Sequence, residues 1–73
     1  MSNNPPGTVV EIFKSIALRY ANSHSSEHTK RECIADALVI PCIDDIVDMY
    51  KDEWLGVDGG FARVISRVLL QIF

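Results

Sequence analysis

FARVISRVLLQIF, residues 61–73, decides the fold class. Phe61, Val64, Ile65, Val68, Leu69 and Ile72 recur at the i, i+3, i+4 spacing that aligns side chains along one face of an α-helix. An apolar stripe of this kind has to be buried against another element. Leu70 and Phe73 fall off it, so a single packed face cannot conceal every apolar side chain of the helix.

The same period, read backwards, divides the rest of the chain. Asp58, Gly59 and Gly60 make a turn, with Asp58 placed to cap the last helix and Gly56 to terminate the one before it. That third helix is expected from about Pro41 to Leu55. Its inward side would carry Ile43, Ile46, Val47, Tyr50 and Trp54, and its outward side Asp44, Asp45, Asp48, Asp52 and Glu53. A second helix, capped by Ser25 or Ser26, is expected to reach Ile40 and stop before Pro41, with Cys33, Ile34, Ala37 and Leu38 inward.

The first helix is expected from a Thr8–Glu11 capping box to about Asn22, its stripe formed by Val9, Ile12, Phe13, Ile16, Ala17 and Tyr20. Ahead of it MSNNPPG is polar and proline-bearing, and reads as a disordered tail over 1–7. No stretch alternates as a strand would. The expectation is an all-α chain: a small four-helix bundle of short helices over 8–73.

Length and charge narrow the function. A chain of 73 residues has room for one core and little for a cleft between domains. Its 48% hydrophobic content is generous for so small a domain and favours self-association or a bound partner. A net charge of −3 argues against phosphate-backbone binding, although Lys30, Arg31, Arg63 and Arg67 are candidates for a basic patch that a dimer would double. Cys33 and Cys42 read as reduced thiols. With no signal-peptide pattern and no apolar run of membrane-spanning length, an intracellular, cytoplasmic protein is expected.

Groupings with catalytic spelling are weak. His24-Ser25-Ser26-Glu27-His28 matches the H-x-x-E-H pattern of zinc peptidases, whose histidines share a helical face, but here it straddles a loop-to-helix boundary. His24, His28, Cys33 and Cys42 have the right donor types for structural zinc without a zinc-finger spacing. Asp44, Asp48 and Asp52 lie one turn apart, yet lack the interleaved glycine and carbonyl ligands of a calcium loop. Cys33 and His28 fall on different helix faces, so no activated nucleophile is formed. Neither an enzyme nor a cofactor is expected.

Trp54-Leu55-Gly56-Val57-Asp58-Gly59-Gly60-Phe61 resembles the second homology segment of the Bcl-2 apoptosis regulators, in which tryptophan and an aliphatic residue precede two glycines and an aromatic. The resemblance implies an apoptosis-regulator fragment. It covers only this segment; the upstream Gly-Arg groove motif and the long apolar central helix have no counterpart.

The reading that fits most of these features is a non-catalytic helical protein–protein interaction module, a regulator or a viral or phage accessory factor. It would bind a second copy of itself or another protein through Trp54, Phe61, Ile65, Val68, Leu69, Leu70, Ile72 and Phe73. A dimeric nucleic-acid-binding protein is the alternative. Docking of the last helix on a membrane surface finds little support in its two basic residues, Arg63 and Arg67.

Overall fold

The computed structural model describes residues 7–23, 26–50 and 60–72. Among them the chain forms helices α1 (Gly7–Ala21), α2 (Glu27–Leu38), α3 (Ile43–Tyr50) and α4 (Phe61–Ile72), and no strand. The all-α bundle expected from periodicity is the observed fold. α1 packs on α2, α3 packs on α4, and α4 also meets α1 and α2, so the last helix touches all three others.

One continuous core holds the bundle. Phe13, Ile16 and Ala17 of α1 meet Cys33 and Ala37 of α2, Ile43, Ile46 and Val47 of α3, and Phe61, Ala62 and Ile65 of α4, with Ile40 between α2 and α3. Phe61 is its aromatic centre: its ring lies 4.8 Å from that of Tyr20 and 5.5 Å from that of Phe13, both in tilted arrangements. The buried positions of α2 are a cysteine and an alanine, small side chains that let the neighbouring helices come close.

The ends of the helices depart from expectation in instructive ways. Thr8 was expected to cap α1, but it lies inside the helix, which begins at Gly7; a cap needs non-helical backbone, so Thr8 cannot fill that role. Gly7 accordingly belongs to the helical domain and not to the tail, the rest of which, 1–6, lies outside the described residues. At the other end Asn22 N–H still donates to Leu18 O at 3.1 Å, and the buried Ser23 donates its hydroxyl to Tyr20 O at 2.6 Å, closing the last turn.

Of the two serines proposed to cap α2, Ser26 does so. Its backbone is extended, and its Oγ accepts from Thr29 N–H at 3.2 Å while donating to Thr29 Oγ1 at 2.8 Å; Ser25 lies outside the described residues. Ser26→Ala should therefore lower stability by about 1 kcal/mol, read as a fall of several degrees in the midpoint of a circular-dichroism melt. An unchanged midpoint would mean that this cap contributes nothing.

α2 stops at Leu38, two positions short of Ile40, with Val39 as its C-cap and Ile40 N–H turning back to Ala37 O at 3.1 Å. Pro41 was expected in the first turn of α3 and is not there. Cys42 follows it at φ 60, a left-handed conformation that reverses the chain, and Ile46 N–H then bonds to Cys42 O at 3.0 Å to open α3 at Ile43. The αL backbone at Cys42 is incompatible with a helix running through Pro41, and it is strained for a residue with a Cβ. At α4 the opening bond runs from Val64 N–H to Gly60 O at 3.1 Å, which puts Gly60, at φ 83, in the cap position. Asp58, expected as the cap, and residues 51–55 of the expected third helix lie outside the described residues.

Candidate interaction surfaces

Among the described residues, those expected to form one interface divide into three groups. Phe61 and Ile65 have no exposed surface; both belong to the chain's own core and are unavailable to a partner, which corrects their assignment. A helix that packs on three others uses the centre of its stripe internally. Val68 and Leu69 are half-buried, Leu69 packing against the core. Leu70 and Ile72 stand out with 77% and 61% of their surface exposed. Trp54 and Phe73 lie outside the described residues.

Leu70 and Ile72 do not point the same way. Two residues of helix advance place them about 160° apart around the α4 axis. Ile72 extends the buried stripe beyond Ile65, while Leu70 lies on the side of Arg63 and Arg67 and borders a cleft of about 230 Å³ between α3 and α4, with Asp44, Val47, Asp48, Ser66 and Leu69. Among the described residues the end of α4 is thus apolar on two sides.

A second apolar surface was not anticipated from the sequence. Thr8, Val9, Ile12, Ile16 and Arg19 of α1, Asp36 of α2, and Val39, Ile40 and Pro41 after it line an open groove of about 560 Å³. Val39 is 80% exposed and Ile12 52% exposed, although Ile12 was expected to face inward with Val9 and Phe13. The signal was present in α1: apolar residues at 9, 10, 12, 13, 16, 17, 18 and 20 are too many for one face, so some must remain outside. At the rim of the groove Arg19 Nη2 donates to Asp36 Oδ2 at 2.7 Å, a half-exposed pair. The hydrogen bond to Asp36 pushes the guanidinium pKa further up, so the cation persists at any physiological pH.

The polar groupings are dispersed. Arg63 and Arg67 are exposed one turn apart on α4, Arg31 is exposed and Lys30 half-buried near the start of α2, and exposed Asp44, Asp45 and Asp48 occupy α3. Cys33 is buried and Cys42 exposed, both as free thiols, and no three His, Cys, Asp or Glu side chains come together among the described residues. His28 is exposed at 3.5 Å from Glu32, its neighbour one turn on. His24 and Asp52 lie outside the described residues, as does most of the segment resembling the Bcl-2 regulators. Its one described aromatic, Phe61, meets the rings of Phe13 and Tyr20 of α1.

No described helix is long and apolar enough to cross a membrane. No known protein-family model, curated protein or solved structure matches this chain.

Proposed function

We propose that this chain is a non-catalytic helical interaction module that self-associates through the carboxy-terminal end of α4. The observation that carries the proposal is the exposure of Leu70 and Ile72 on a helix whose Phe61, Ala62 and Ile65 are already buried at home. Large apolar side chains left in water at the end of a packed helix gain about 1.5–3 kcal/mol each on burial, and a second copy supplies that burial symmetrically.

Leu70→Asp tests it. Leu69 is a poorer site for the substitution because it packs against the core, so a lost dimer would be confounded with a lost fold. In sedimentation equilibrium the wild type should be dimeric and Leu70→Asp a folded monomer. Since two copies each lose the contact, the dissociation constant should rise about 100-fold or more. A wild type that stays monomeric at high concentration would remove the proposal.

Nucleic-acid binding is the less favoured alternative. Arg63 and Arg67 supply an exposed basic pair, but exposed Asp44, Asp45 and Asp48 on the neighbouring α3 and a net charge of −3 oppose a polyanion.

A further inference from the structure

We propose that the end of α4 inserts into the α1–α2 groove of a second copy, each copy giving one helix end and receiving one across a two-fold axis. This rests on the self-association reading above and specifies what receives the helix. The alternative is α4 packed against α4.

Geometry separates the two. Leu70 and Ile72 lie about 160° apart around α4, so a helix facing its own copy covers one and leaves the other in water. A concave acceptor can enclose a helix end on both sides, as helix-in-groove recognition does. The open groove of about 560 Å³ has apolar walls on two elements, Val9 and Ile12 of α1 and Val39, Ile40 and Pro41 after α2, and shares no lining residue with the cleft beside α4.

Area points the same way. A stable interface buries about 800 Å² per partner, a little over half of it apolar, or roughly 450 Å². At about 25 cal/mol per Å², the gain for one large aliphatic side chain corresponds to about 60–120 Å². Scaled by their exposure of 77% and 61%, Leu70 and Ile72 alone therefore reach at most about 170 Å² on each copy, well under half of what is needed. Adding the exposed Ile12 and Val39 of the groove roughly doubles that area, to about 320 Å² on each copy, which α4 packed on α4 does not supply.

The polar ends also match. α4 has no basic residue in its last turn to meet its final carbonyl groups, which carry the negative end of the helix dipole. The groove presents Arg19 at its rim, with one N–H engaged by Asp36 and a guanidinium that offers five.

Val39→Asp is the deciding variant, because Val39 is 80% exposed and outside the core. In sedimentation equilibrium at pH 7, with folding verified by circular dichroism, it should weaken the dimer on the order of 100-fold, as should Ile72→Lys on α4. Mixed together, the two variants should recover dimer: one insertion is then wild-type on both sides, and the other pairs opposite introduced charges. If Val39→Asp does not fold, Ile12→Asp at the half-exposed position takes its place in the same mixture.

A dimer that persists undiminished in the folded groove variant, while Leu70→Asp is monomeric, would overturn groove insertion and leave self-association through α4 standing. Failure of the mixture to exceed either variant alone would also overturn it. A monomeric wild type would overturn both readings.

Discussion

Phe61→Ala should leave much of the protein unfolded at 37 °C. Phe61 has no exposed surface and stacks on two rings of α1, Tyr20 at 4.8 Å and Phe13 at 5.5 Å, so it ties α4 to the far side of the bundle. Truncating a buried phenylalanine costs about 3–5 kcal/mol, the lost transfer energy plus that of the cavity left behind. A 73-residue chain has, at 0.05–0.15 kcal/mol per residue, about 4–11 kcal/mol in total. Thermal denaturation followed at 222 nm should show the midpoint falling by more than about 12 °C, at about 4–8 °C per kcal/mol for domains of this size. Phe61→Leu, which refills most of the volume, should recover a good part of the loss. A change of only a degree or two in Phe61→Ala would mean that the aromatic centre is not what joins α1 to α4.

The reasons that this centre was not legible in the sequence are physical. Periodicity gives the buried face of each helix, and it did so for Ile43, Ile46 and Val47 on α3 and for Phe61 and Ile65 on α4, all found in the core. It does not say which faces meet. The rings of Phe13 and Tyr20 that meet Phe61 come from α1, more than forty positions away in sequence. The interface suffered from the same limitation, since a stripe carries no mark separating the turns spent on the core from the turn left over. The Pro41–Cys42 corner was obscured differently. Proline after a helix permits either a new first turn or a reversal, and only the positive φ at Cys42 selects the reversal and opens the groove between α1 and the end of α2.

One substitution made at two places on α4 separates core from surface. Ile65→Asp should abolish folding at pH 7, because Ile65 has no exposed surface and lies among apolar side chains that offer a carboxylate no partner. The loss of apolar burial, about 1.5–3 kcal/mol, adds to a penalty of several kcal/mol for burying the ionised group, and together they approach the whole stability of so small a domain. Burial raises the carboxyl pKa in the folded state above its unfolded value of about 3.9. The folded chain then holds its proton over a pH range in which the unfolded chain has released it. The deficit relative to wild type should therefore shrink as pH falls through the folded pKa toward the unfolded value, and be largest above it. Leu70→Asp, five residues on and 77% exposed, has no such desolvation to bear and should keep its helical signal at every pH at which the wild type does. Measuring both by urea titration at pH 7 and pH 5 checks the assignment directly. If Ile65→Asp folds as well as Leu70→Asp, the stripe of α4 is not buried in the single chain, and the surface available for association extends back to include it.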